Sequence, residues 1–196
     1  MAGHEPAIME TKREHAVLIP LIETEEGLCI VFEKRAASIK QPGEVCLPGG
    51  KIEKGETAKD AALREFTEEL GVGTNVILEF VGQFDTQVTH SHMNQYTFIA
   101  KLTDDALSKM NPNPSEVARI FTIPVDYLMN TAPILYEFPL TVDANDDSFY
   151  DVMGFENHTY KWLRGSLSLP IWKYDGEILW GITGRIIRHF LTFFKD

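Results

Sequence analysis

Residues 64–71 read REFTEELG, three glutamates and an arginine gathered around one phenylalanine. Carboxylates three and four positions apart on a helix repel by about a few tenths of a kcal/mol per pair. At about 100° per residue, Glu65, Glu68 and Glu69 share an arc of roughly 100°, while Phe66 and Leu70 point to another side and can pack on a sheet. Three helical glutamates are ordinarily a solvated face. The alternative is that a cation offsets their repulsion, and clustered hard oxygens suit Mg²⁺ or Mn²⁺. The longer spacing favours the cation. Gly50, five residues, Glu56, seven residues, then Arg64-Glu65-Phe66-x-Glu68-Glu69-x-Gly71-Val72 form one pattern over residues 50–72.

A helix must carry these acids. Thr57 can cap its start, with Asp60 three residues later to complete a capping box, and Gly71 is a good stop after Leu70. Before it, AVLIPLI (16–22) and LCIVFEK (28–34) are strand-like, with a hairpin turn at EEG (25–27). EVCLPGG (44–50) is a short strand entering a turn. After it, 76–88 and 96–102 are expected strands, NPNPSE (111–116) a loop, 117–123 a strand, and 124–130 a short helix opened by Pro124. The chain closes with an expected helix over 178–194, on the spacing of Ile178, Ile182, Ile186 and Phe190. Intermixed strands and helices predict an α+β fold, layered around a mixed sheet.

Composition bounds the function. A chain of 196 residues fits one domain, 1–196, with 1–14 as a short N-terminal arm. A net charge of −11 speaks against a nucleic-acid partner. It leaves room for an anionic small substrate, since a bound divalent ion reverses the local field. No apolar run approaches the ~20 residues that cross a bilayer, and no secretory leader opens the chain. No membrane partner and a cytoplasmic location are therefore expected, with Cys29 and Cys46 as buried free thiols. The sequon at 157–159 is incidental on that reading. His90 and His92 could in principle bind zinc and DANDD (143–147) calcium, but solvated loops are the ordinary reading of both. The apolar spacing at 178–194 suits core packing or the face of a homodimer.

The pattern over 50–72 is the Nudix box, and the chain resembles the Nudix hydrolase family. Phe66 stands where an aliphatic residue is commoner. The resemblance implies an α/β/α sandwich, with Glu65, Glu68, Glu69 and the Gly50 carbonyl as ligands of Mg²⁺ or Mn²⁺. It also implies that Glu56 and Arg64 form an orienting ion pair. Upstream, VFEKRAASIKQPGEVCLPGG (31–50) is similar to the second signature of the coenzyme A pyrophosphatase branch, in Arg35-Ala36, Lys40, Gly43 and Pro48-Gly49-Gly50. Leu47 replaces a phenylalanine there, and the gap from Lys40 to Gly43 is one residue short. Residues 116–128 and 169–190 also resemble that branch.

What this implies is cleavage of coenzyme A, or an acyl or oxidised form, at its diphosphate. The products are 3′,5′-ADP and 4′-phosphopantetheine or its acyl derivative. Arg35 and Lys40, with Lys34 beside them, then hold phosphate at Gly49-Gly50, and Glu116 joins the catalytic glutamates as base or extra ligand. Two alternatives stay open: another nucleoside diphosphate derivative, such as ADP-ribose or a dinucleoside polyphosphate, and a silent Nudix domain that only senses a ligand. The intact acidic set speaks against the second.

Overall fold

The computed structural model describes residues 8–143, 148–155 and 160–194. The sequon at 157–159 and most of DANDD lie outside the described residues. β1 (Arg13–Thr24) and β2 (Gly27–Arg35) form the expected hairpin, with Thr24 opposite Gly27. The first strand reaches into the span 1–14 that the sequence suggests as an arm. β1 starts at Arg13, because that residue already pairs in parallel with Met93 of β7 (Met93–Leu102).

EVCLPGG is two strands rather than one. β3 (Val45–Cys46) pairs with β2, and β4 (Gly49–Lys51) pairs with the first half of β1. Between them the Pro48 carbonyl accepts the Leu18 N–H at 2.9 Å, so the proline serves the ladder as an acceptor. The expected strand over 76–88 is also broken, into β5 (Ile77–Gln83) and β6 (Gln87–Val88), both on β7. A register shift around Gly82 aims Phe84 away, against Phe190 and Phe193.

β1 to β8 (Val117–Pro124) make one mixed sheet, with only β1 and β7 parallel among the described pairs. α1 (Ala58–Leu70) covers one face, where Ala61, Ala62, Phe66 and Leu70 pack on Ala16, Leu18, Val31 and Ala100. Burying Phe66 and Leu70 contributes about 1.5–3 kcal/mol each. α3 (Val125–Asn130) and α5 (Gly181–Phe190) cover the other face with Leu128, Ile186, Ile187 and Phe190 against Ile19, Ile30 and Phe32. The result is the expected α+β sandwich of helix, mixed sheet and helix. A short α2 (Ala106–Lys109) follows β7.

A smaller antiparallel sheet joins β9 (Ile134–Leu140), β10 (Gly165–Tyr174) and β11 (Glu177–Leu179), with α4 (Ser148–Met153) in the connection. It accounts for a difference from the sequence expectation. The closing helix starts at Gly181 rather than 178, because Trp172 to Tyr174 pair with Leu179 to Glu177. Ile178 and Ile182 are exposed, and the buried stripe is Ile186, Ile187, Phe190 and Leu191. A 3₁₀ turn over Leu191–Phe194 ends the described chain.

Candidate functional site

α1 carries the box, and its ends are fixed locally. The Thr57 hydroxyl accepts the Asp60 N–H at 3.1 Å. The expected reciprocal capping box is replaced by a hydroxyl-to-carboxylate bond, Thr57 Oγ1 donating to Asp60 Oδ2 at 2.6 Å. Gly71 ends the helix in the left-handed region at φ 62°, and a Cβ there would lie 1.8 Å from the Asn111 carbonyl oxygen. That contact belongs to the loop 111–116, which docks on the end of α1. Asn111 N–H donates to the Leu70 carbonyl and Asn113 N–H to the Glu69 carbonyl, each at 3.0 Å. Two further bonds join this loop to residues 36–38, Ala36 N–H to Glu116 O and Ser38 Oγ to Ser115 O. So the fold frames the acidic helix between β4 and two mutually bonded loops.

Within that frame the three helical glutamates are not equivalent. Glu68 is 57% exposed at its side chain and bonds the Arg64 Nη1 at 3.2 Å. Glu65 is half-buried and meets the same Nη1 at 2.9 Å. Glu69 is buried, and its Oε2 accepts the Gly49 N–H at 2.8 Å. Gly50 approaches Glu65 so closely that a Cβ would sit 2.3 Å from Oε1, which only glycine permits. Arg64 also takes both oxygens of Glu56, at 2.9 and 3.2 Å, and its Nη2 donates to the Lys51 carbonyl. This is the ion pair expected between Glu56 and Arg64. It fastens the loop 51–56 to α1 beside an open cleft of about 710 Å³, lined in part by Lys51, Glu53, Lys54 and Glu65.

Sequence reasoning missed Glu33. Strand alternation puts it on the α1 face of β2, in the row of Cys29 and Val31. It is 1% exposed. Its Oε1 accepts from the Cys46 thiol at 3.1 Å, and its Oε2 has no partner among the described residues. The only signal in the sequence was an acid at a position where the alternation calls for an apolar residue.

Burial first, and then the charge of Glu33, push the Glu69 carboxyl up to about 9, against the opposing Gly49 N–H. Burial likewise raises Glu33 to about 7, with Glu116 and Glu65 adding to it against the Cys46 bond and the Arg35 charge. Glu65 is raised by burial despite Arg64. Buried carboxyls with too few internal cations hold protons until a cation arrives. Burial also pushes the Cys46 thiol up, which keeps it an unreactive donor to Glu33.

Glu116 stands among this group, in electrostatic reach of Glu33, Glu65 and Glu69, and its Oε2 accepts from Asn113 Nδ2 at 3.2 Å. Arg35 lies near Glu33, but its Nε donates to the Lys40 carbonyl at 2.9 Å. The Lys40 residue itself is exposed. Lys34 is drawn elsewhere, to Glu177 at 3.0 Å on the opposite face of β2.

Among the described residues, no three His, Cys, Asp or Glu side chains already stand at metal-holding spacing, and Arg64 is paired with both Glu65 and Glu68. The donors still fit a divalent cation. They are hard oxygens, Gly50 brings backbone against Glu65, and a buried carboxyl oxygen of the group is unpartnered.

Residues 12–139 match the NUDIX domain model. The chain is 28% identical over 180 residues to Nudix hydrolase 3 of Caenorhabditis elegans, covering 90% of this chain and 71% of that protein. It is 31% identical over 149 residues to the peroxisomal coenzyme A diphosphatase NUDT7 of Mus musculus, covering 69% of this chain and 57% of that one. Among solved structures, a C. elegans Ap4A hydrolase binary complex superposes with a TM-score of 0.47 at 18% identity, over 59% of this chain and 83% of that chain. Nudix hydrolases generally use divalent metal ions and act on small nucleotide substrates. With the matched span enclosing the box, α1 and Glu116, the chain belongs to the NUDIX domain family.

Proposed function

We propose that this protein hydrolyses the diphosphate of coenzyme A or a derivative, with Mg²⁺ or Mn²⁺, giving 3′,5′-ADP and 4′-phosphopantetheine or its acyl form. One observation carries the hydrolytic part: Glu65 and Glu69 meet at the Gly49–Gly50 backbone, in electrostatic reach of Glu116, and among the described residues only Arg64 is paired with Glu65 and no cation with Glu69. The substrate part is supported by the mouse relative's activity and by the residues of 31–50.

Glu65, Glu68, Glu69 and the Gly50 carbonyl would hold the cation. Bound there, a divalent ion neutralises charge that builds on the diphosphate and favours ionisation of a water. The chain supplies the rest. The Arg64–Glu56 pair keeps α1 and the loop 51–56 in register. Glu116 accepts the proton of the water that attacks phosphorus, and the bridging P–O bond breaks to release the phosphomonoester. Arg35 and Lys40 bind phosphate oxygens beside Gly49-Gly50, where the Gly49 N–H is already taken by Glu69. Arg35 does so through its Nη groups, because its Nε is committed to the Lys40 carbonyl.

A second reading, hydrolysis of ADP-ribose or a dinucleoside polyphosphate, is favoured by one observation. Lys34 is bound by Glu177, which leaves fewer cations for a 3′-phosphate. A product assay separates the two. Purified protein with millimolar Mg²⁺ or Mn²⁺ is given coenzyme A, its 3′-dephospho form, ADP-ribose and dinucleoside polyphosphates. Release of 3′,5′-ADP with poor turnover of the others is the expected outcome. Turnover of the others without coenzyme A transfers the proposal to the second reading.

A further inference from the structure

Glu33 has no part in the box, yet it occupies the floor beneath it. The α1 face of β2 runs Cys29, Val31, Glu33, and the first two are core residues under α1. At the third position an apolar side chain would be the ordinary choice, because an isolated buried carboxyl costs several kcal/mol unless it is bonded or neutralised. Neither remedy is complete here. The Cys46 thiol, opposite Glu33 across the β2–β3 ladder, is a weak donor and serves only Oε1. Oε2 is buried and, among the described residues, unpartnered. Arg35 is near, but its Nε is turned to the Lys40 carbonyl.

What surrounds Glu33 is more acid. Its charge is felt at Glu69, and those of Glu65 and Glu116 are felt at Glu33. A core that selected for packing alone would not add a fourth carboxyl to three others.

We propose that Glu33 is a further carboxylate of the cation site, offering its unpartnered Oε2 to the divalent ion that Glu65 and Glu69 bind from α1. The sheet then contributes a ligand as well as the helix, and Cys46 is a positioning residue that holds the Glu33 carboxyl by its other oxygen. The inference rests on the cation-dependent reading above but not on the identity of the substrate.

The test reads metal binding directly. The metal-free chain is titrated with Mn²⁺, followed by loss of the free-ion EPR signal and by the Mn²⁺-induced rise in Tm. Glu33→Gln keeps shape and removes charge, so its metal-free Tm should equal or exceed that of the wild type. Its Mn²⁺ affinity should fall by roughly tenfold or more. Cys46→Ala should weaken Mn²⁺ by no more than about the lower end of that range, since the carboxyl remains. Glu33→Gln that binds Mn²⁺ as the wild type does overturns the proposal. Should that variant fail to fold, Glu33→Asp withdraws the carboxyl by one methylene, and unchanged Mn²⁺ affinity there overturns it equally. A wild-type chain that binds no Mn²⁺ overturns both this inference and the reading it rests on. Glu33-dependent Mn²⁺ binding without turnover of coenzyme A supports the inference and discards only the substrate.

Discussion

Glu33 and Lys34 are neighbours on β2 and point to opposite faces of the same sheet, and the two faces treat buried acid in opposite ways. On the α5 side, Glu177 is nearly buried but receives Lys34 at 3.0 Å and Arg119 at 2.6 Å. Burial pushes its carboxyl up, and the two cations together outweigh that and bring it below the usual range. On the α1 side, Glu33 and Glu69 have no such partners among the described residues, and burial leaves them near 7 and 9. One face is an ion pair completed within the chain. The other is a set of oxygens short of positive charge, which is what a site for an external cation requires. The clustered acids of α1 thus differ from ordinary helical glutamates by what surrounds them, not by their number.

The comparison is open to attack at several points. The largest effect belongs to Glu69→Gln, which keeps an acceptor for the Gly49 N–H but removes the charge. Turnover should fall on the order of 10²-fold or more with the circular dichroism unchanged. A loss of less than tenfold would remove Glu69 from the proposed site. Next is the pH response of the metal-free protein. Glu69 and Glu33 carry folded-state values above their ordinary 4.5, so the folded chain binds more protons than the unfolded one between that value and about 9. Their stabilising contribution is full below about 4.5 and is lost as pH rises through about 7 and 9. Tm should therefore drop by about 3–5 °C per pH unit in that window for each proton involved. Millimolar Mg²⁺ should flatten the drop, and a metal-free Tm that rises with pH would contradict the picture.

Glu177 contributes with the opposite sign, its stabilisation being present at neutral pH and lost in acid. The smallest effect is expected on that face. Glu177→Gln should cost about 1–3 kcal/mol, by leaving Lys34 and Arg119 without their carboxylate, and should leave Mn²⁺ affinity unchanged. Weakened Mn²⁺ binding in that variant would mean that the two faces are not independent.

Much of this was legible in local sequence. Thr57, Gly71 and the Phe66–Leu70 stripe specify α1 within one segment, and the hairpin 16–34 follows from two alternating runs around EEG. The helix start at 178 did not survive, because Trp172–Tyr174 claim 177–179 as a strand. Lys34 read as a phosphate cation for a related reason, since its partner Glu177 lies 143 residues away. Glu33 escaped notice because a single acid in a strand looks the same whether its row is wet or buried.

The sequence by itself determined which oxygens stand on α1, their spacing, and the glycines that let backbone approach them. Helical period, capping and close contact act over a few residues, so they can be read along the chain. Only the tertiary structure decided which of those carboxyls are buried, which have an internal cation and which are joined by Glu33 and Glu116. Desolvation and charge pairing are set by distance in space, and the residues that set them come from β2, β4, the loop 111–116 and β11.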